Sequence, residues 1–147
     1  MVASKSELST IPLHTVLIVS DQPDSVTTWE TLFDQRNCIV LAETNTYDAI
    51  QTAGLVGPSL MLVDMKLSKR ERAALLKGLR AASRGPILMT VSARTVDDIM
   101  EANQAGADEC LIKPVNPAVL IVKAMAWLGH GEKSSRIQSA MNAEAAL

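Results

Sequence analysis

Five short apolar runs punctuate this chain, and none of them alternates apolar with polar residues. They are Val16–Val19, Cys38–Ala42, Leu60–Val63, Ile87–Val91 and Cys110–Ile112. A strand with one wet face alternates, so an unbroken apolar run predicts a strand covered on both faces, as in a parallel sheet between layers of helices. Between the runs the pattern changes to a helical period. Over Asp24–Gln35, the residues Val26, Trp29, Leu32 and Phe33 share one face. Tyr47–Leu55, Lys69–Ala82, Val96–Ala105 and Pro117–Leu128 are the other helical segments. Strand and helix in strict alternation predict an α/β fold, a (βα)5 doubly wound sandwich around a parallel five-stranded sheet.

The punctuation agrees. Ser68-Lys-Arg-Glu71 reads as a capping box, and Thr95 with Asp98 frames the fourth helix in the same way. Asn116-Pro117 offers an N-cap followed by Pro at the first helical position. Gly54 and Gly57-Pro58 are expected to break the second helix, Gly85-Pro86 to introduce the fourth strand, and Gly129 and Gly131 to stop the fifth helix. Residues 1–13 read as a Ser/Thr-rich N-terminal arm, 14–129 as one domain, and 130–147 as a C-terminal tail or linker. In that tail Ile137, Met141 and Ala145 keep helical spacing.

A length of 147 residues suits one domain, and 48% apolar with 20% charged residues at a net charge of -2 is the make-up of a globular chain. It does not suit a disordered or nucleic-acid-coating one. No apolar stretch is long enough to span a membrane, and the first 14 residues lack the apolar core of a signal peptide, so the expected location is cytoplasmic. Cys38 and Cys110 form no C-x-x-C motif, and His14 and His130 lie near the ends. Reduced, buried thiols are expected rather than a zinc or redox site.

Chemistry collects at the ends of the runs. Asp21, Asp64, Ser92 and Lys113 each follow a predicted strand closely. Carboxyl ends of parallel strands share one edge, where ligands bind, so these four residues are expected to converge. Carboxylates suit a hard divalent cation, while a hydroxyl and an ammonium suit a phosphoryl group. Together they point to phosphoryl transfer onto an aspartate.

The stretch from about residue 14 to 128 resembles the receiver domain of two-component response regulators, the chemotaxis-regulator-like family. The motifs that carry the resemblance are Ile18-Val-Ser-Asp21-Gln-Pro23, Leu62-Val-Asp64, Val91-Ser92-Ala93 and Gly106-Ala-Asp-Glu-Cys-Leu-Ile-Lys113-Pro114. The resemblance implies the flavodoxin-like strand order 2-1-3-4-5 and a cis Lys113–Pro114 bond. It implies Asp64 as phosphoacceptor, Ser92 as switch hydroxyl and Lys113 as partner of Asp64 or of its phosphoryl oxygens. It implies Mg²⁺ held by Asp21, Asp64 and the backbone carbonyl of Lys66. The implied partner is a sensor histidine kinase or histidine phosphotransfer protein, and the only catalysis implied is self-phosphorylation and self-dephosphorylation.

Three departures accompany the resemblance. The family usually has two acids after the first strand, and here the first is Ser20, which should weaken Mg²⁺ binding. The segment Leu67-Ser68-Lys69 lacks the usual Pro, and the usual Gly a few residues later is absent too. Cys110 stands at the aromatic switch position. These departures leave room for a pseudo-receiver, a receiver fold with decayed chemistry that serves as an interaction module. A haloacid-dehalogenase-like phosphatase is a further alternative, but it wants a second acid where Lys66 stands. A flavodoxin-like electron carrier fits less well, because Asp21 would repel a flavin phosphate.

Seven of the chain's 14 basic residues lie between Lys66 and Arg84. A solvated helix face is the favoured reading; no groove-reading motif supports direct nucleic-acid binding. The fifth helix is apolar nearly all round. Ala118, Ile121, Val122, Met125 and Leu128 are read as its core face, with Leu120 and Trp127 opposite. The outer stripe is expected to lie under residues 132–147 or in a homodimer through this helix. The chain reads either as a stand-alone regulator or as the receiver part of a longer protein.

Overall fold

The computed structural model of the protein describes residues 14–92 and 95–129. The expected arm over residues 1–13, the tail over 130–147 and Ala93 of the third motif fall outside them. The five apolar runs are strands: β1 His14–Ser20, β2 Cys38–Glu43, β3 Leu60–Asp64, β4 Ile87–Val91 and β5 Glu109–Ile112. They pair in parallel in the order β2-β1-β3-β4-β5. The helices are α1 Pro23–Asp34, α2 Thr46–Val56, α3 Lys69–Ala82, α4 Val96–Gln104 and α5 over residues 117–129.

Side-chain parity along the strands builds two cores. Odd-numbered Leu17, Val19, Met61, Val63, Ile87 and Met89 pack against Ala49 and Ala53 of α2, Leu75, Leu76 and Leu79 of α3, and Ala102 of α4. Even-numbered Val16, Ile18, Leu60, Leu62 and Leu88 pack against Trp29 and Phe33 of α1 and Leu120, Ile121, Ala124 and Leu128 of α5. Successive strand side chains point to opposite faces, so an unbroken apolar run fills both layers at once. That holds fully for the central strands β1, β3 and β4. The edge strands are only half covered, with Ile39 48% and Ile112 52% exposed.

The local signals act as their chemistry requires. Ser68 with Glu71 and Thr95 with Asp98 form complete capping boxes, and Asn116 Oδ1 accepts from the Ala118 N–H at 2.8 Å. Gly57 ends α2 in the left-handed conformation (φ 61°), whereas Gly54 lies inside that helix and breaks nothing. Gly85 is required by close approach, because a Cβ there would collide with the Pro58 carbonyl oxygen. Arg80 of α3 donates to the carbonyls of Gly85 at 3.0 Å and Gly106 at 2.9 Å and pairs with Asp108. Asp108 in turn accepts from the Ile87 N–H at 2.7 Å. One guanidinium thus ties together the loops that launch β4 and β5.

The reading of the fifth helix needs correction. Leu120 is fully buried, with Ile121, Ala124 and Leu128, while Val122 is 69% exposed and Ala118 lies outside the core. The buried stripe is rotated by about a quarter turn from the expected one, at roughly 100° per residue. Composition could not fix the rotation, since apolar residues fill most of the helix surface. Trp127 is half-buried at the margin of the stripe, and its indole N–H donates to Glu109 of β5 at 2.6 Å. Burial works to raise the Glu109 carboxyl pKa, but hydrogen bonds from Lys123 and Trp127 and the Lys123 charge outweigh it and leave it below its ordinary value.

This orientation sets opposite outcomes for two neighbours. Leu120→Ala should lose about 2–5 kcal/mol of stability by leaving a cavity. Val122→Ser should stay within about 0.5 kcal/mol of wild type. Denaturant titration of both variants checks the rotation, and the reverse ranking would place Val122 inside.

Candidate functional site

The register that builds the cores also builds the site. Ser20 of β1 lies beside Asp64 of β3, Leu62 lies beside Leu88 of β4, and Thr90 lies beside Leu111 of β5. Continuing the β3–β4 register one pleat sets Asp64 next to Thr90. Ser20, Asp64 and Thr90 are all even-numbered and belong to the face that packs on α1 and α5. The apolar column of that face therefore ends in a polar row at the carboxyl edge, and all three residues are buried.

Asp64 is the centre of this row and is only 2% exposed. Its Oδ1 stands 2.7 Å from Lys113 Nζ and accepts a 2.6 Å hydrogen bond from Thr90 Oγ1. The Thr90 hydroxyl has one proton, and its other acceptor, the Val63 carbonyl, is 3.5 Å away. The hydroxyl therefore donates that proton to the carboxylate in the shorter hydrogen bond. Among the described residues no donor reaches Oδ2. Asp64 nonetheless lines a cleft on the α1–α5 side of the sheet. The Lys113–Pro114 bond is cis, as the resemblance implies.

Asp21 is exposed at the start of the β1–α1 loop. Its Oδ2 lies 3.4 Å from the Lys66 backbone N–H, so the loops after β1 and β3 meet here. Its Oδ1 accepts from the Gln22 side chain at 2.9 Å. Ser20 Oγ accepts the Gln22 N–H at 3.1 Å and is committed to shaping this loop. Among the described residues no three acidic, His or Cys side chains gather as a metal cluster. Mg²⁺ does not need three, because it keeps several waters and binds through one or two carboxylates. The donor set of Asp21, Asp64 and the loop backbone at Lys66 is hard oxygen throughout and fits such an ion.

Two clefts lie at this edge, and Thr90 and Lys113 line both. One, of about 640 Å³, lies on the α1–α5 side and is lined by Asp64, Thr90 and Lys113 with Trp29, Thr28 and Pro114. The other, of about 460 Å³, lies on the α3 side, where Ser92 shares the wall with Lys66, Lys113 and Arg72. All the residues picked out in the sequence thus meet at one edge. Three cations and a hydroxyl facing one cleft can hold a dianionic oxygen cluster.

Thr90 and Arg72 were not foreseen. Thr90 is the one polar residue inside the run Ile87–Val91, and the register gives it the same face as Asp64. Arg72 precedes Leu75, Leu76 and Leu79 by three, four and seven residues, which is the spacing of the buried face of α3. Its side chain is only 18% exposed and stands 3.8 Å from Glu101 of α4. The expected solvated face is therefore right for Lys66, Lys69, Arg70, Lys77 and Arg84, which are exposed, and wrong for Arg72 and the loop-tying Arg80. Of the thiols, Cys38 is buried and Cys110 half-buried, and both are free. Desolvation raises the Cys110 pKa, with Arg72 pulling the other way.

The comparisons with known proteins agree with this geometry. The family model described as "Response regulator receiver domain" matches residues 16–125. The transcriptional regulatory protein CpxR of Klebsiella pneumoniae is 26% identical over 129 residues, covering 86% of this chain and 54% of that protein. The chain spans about half the length of the curated relatives it matches. A CheY-like response regulator receiver domain protein of Methanospirillum hungatei superposes with a TM-score of 0.73 at 24% identity, covering 83% of this chain and 98% of that one. The receiver domain of a sensor histidine kinase from Pseudomonas aeruginosa, solved with magnesium in its active-site cleft, gives 0.68 at 24% identity, with 79% and 98% covered. No described helix is long and apolar enough to cross a membrane. With five parallel strands in the order 2-1-3-4-5 and an aspartate paired to a lysine at their carboxyl edge, the chain belongs to the response regulator receiver domain family of two-component signalling.

Proposed function

We propose that this protein accepts a phosphoryl group on Asp64 from the phosphohistidine of a sensor histidine kinase or histidine phosphotransfer protein, and that residues 14–129 are the receiver unit. The family's function is phosphoryl transfer to an aspartate, and its members are phosphoacceptors rather than enzymes acting on other substrates. The observation that carries the assignment to Asp64 is its buried carboxylate, paired with Lys113 at 2.7 Å on the wall of the α1–α5-side cleft. A carboxylate attacks an anionic phosphoryl group only where the charge between them is neutralised. Lys113 supplies part of that charge. Asp21, Asp64 and the Lys66 carbonyl would hold Mg²⁺, which when bound would supply the rest. Ser92 and Lys66, on the wall of the α3-side cleft, would receive the phosphoryl oxygens. The readout face would be α4, β5 and the outer side of α5, where Ile112, Val119 and Val122 are exposed. A homodimer or a partner protein could pack there. The earlier ground for a dimer, an exposed Leu120, is gone.

Incubation with a small acyl phosphate donor and Mg²⁺ should add one phosphate to the intact mass of wild type and none to Asp64→Asn. An unchanged wild-type mass at saturating Mg²⁺ would favour the pseudo-receiver reading instead.

Ser20 in place of an acid should leave Mg²⁺ binding weak for this family, and Ser20→Asp should tighten it. Trp29 lines the cleft beside Asp64 and offers a fluorescence readout of the titration. A Ser20→Asp titration no tighter than wild type would overturn the charge argument.

Lys66 lies two residues after Asp64 and lines the α3-side cleft, where a long cation can pair with the phosphoryl oxygens and obstruct the attacking water. Loss of phosphate from Lys66→Asn should therefore be faster than from wild type. An equal or slower decay removes this role.

A further inference from the structure

We infer that Thr90 is a positioning residue that shortens the life of the phosphorylated state, an inference that rests on Asp64 being the phosphoacceptor. The argument begins with the register. Thr90 is the lateral neighbour of Asp64 on the same sheet face, only 4% exposed, and its hydroxyl lies 2.6 Å from Asp64 Oδ1. Among the described residues the hydroxyl's other acceptor is the Val63 carbonyl, 3.5 Å away. Thr90 lies within β4, so the strand backbone holds the donor against the carboxylate.

A hydrogen bond to an ionised carboxylate is stronger than one to a neutral acceptor. Phosphorylation converts the carboxylate into a mixed anhydride and moves its charge onto the phosphoryl group. If Oδ2 is esterified, Thr90 is left facing a neutral carbonyl oxygen. If Oδ1 is esterified, Thr90 faces an ester oxygen, which is a poorer acceptor still. Either way the Thr90 bond favours the free carboxylate over the phosphorylated one.

The same preference acts on the rate. In hydrolysis the water oxygen forms a bond to phosphorus and the Asp64 O–P bond breaks. The electron pair of that bond returns to the Asp64 carboxyl group, and the water proton leaves with inorganic phosphate or passes to solvent. The transition state for phosphoryl transfer is loose, with the O–P bond largely broken, so the leaving carboxylate already carries much of its charge. Thr90 stabilises that charge as it develops, from a buried position where the bond needs no reorganisation. It acts through Asp64 and does not touch the phosphoryl group. Lys66 and Thr90 thus work in opposite senses, one guarding the phosphoryl oxygens and the other stabilising the departing carboxylate.

The test uses the full chain loaded with an acyl phosphate donor and Mg²⁺, then freed of donor, with the decay followed by intact mass. Thr90→Val removes the hydroxyl and keeps the shape, and it should slow decay about 3- to 10-fold. Thr90→Ser keeps the donor and should decay within about twofold of wild type. Thr90→Ala serves as a second hydroxyl-free variant should Val prove unstable, and thermal melts confirm that each variant is folded. Wild type that takes phosphate, with hydroxyl-free variants decaying at its rate or faster, overturns this inference alone. Thr90→Ser as slow as Thr90→Val assigns the effect to packing and overturns it too. Wild type that takes no phosphate removes both this inference and the reading on which it rests.

Discussion

A carboxylate that is 2% exposed has lost nearly all of its water, and the rest of the site is arranged around that fact. An isolated buried charge is costly, and proteins keep one only where partners replace the lost hydration. Lys113 supplies the opposite charge and Thr90 a neutral donor, both on Oδ1. Thr90 lies on β4 and Lys113 directly follows β5, so the charge of Asp64 is balanced only when β3, β4 and β5 are all in register. The folded sheet and the charged carboxylate depend on one another.

The electrostatics extend outward from this centre. Arg72 is part of the α3-side cleft wall and also stands within reach of Glu101, which pairs with Lys69 at 3.0 Å. Helix α4 is thereby joined to α3 by charges on a half-exposed surface, where each pair contributes at most about 1 kcal/mol. Helix α5 is fixed more firmly, by Leu120, Ile121, Ala124 and Leu128 in the core and by the hydrogen bonds of Lys123 and Trp127 to Glu109. The two helices beside β5 are thus held unequally: α4 buries little more than Ala102 and adds screened charge pairs, whereas α5 buries a full apolar stripe.

Much of this was legible in the sequence. The unbroken runs gave the parallel sheet because burial on both faces leaves no position for a polar residue. Asp21, Asp64, Ser92 and Lys113 could be picked out because each stands within two residues of the carboxyl end of an apolar run, and the fold brings those ends together. Thr90 escaped notice because it lies inside its run, where a β-branched residue reads as strand filler; only the register with Asp64 gives it a partner. Arg72 was hidden within a basic stretch whose other members are mostly exposed. The face of α5 was misjudged for the opposite reason. With apolar residues nearly all round the helix, periodicity carried too little contrast to show that Leu120 points inward and Val122 outward.

Side-chain parity also shapes how such a chain can change over generations. The polar row is reached by counting an even number of residues from the apolar column beneath it, in β1, β3 and β4 alike. Substitution can retune one member at a time, as Ser20 illustrates. Deletion of a single residue within any of these strands would instead exchange the two cores and turn the row toward the wrong layer. At the opposite edge, the loop leading into β2 carries none of this row and lies outside the Arg80 ties that fix the loops into β4 and β5, so it is freer to lengthen. Inherited variation in length should therefore collect at the end of the sheet far from Asp64, while variation in identity is what remains available near it.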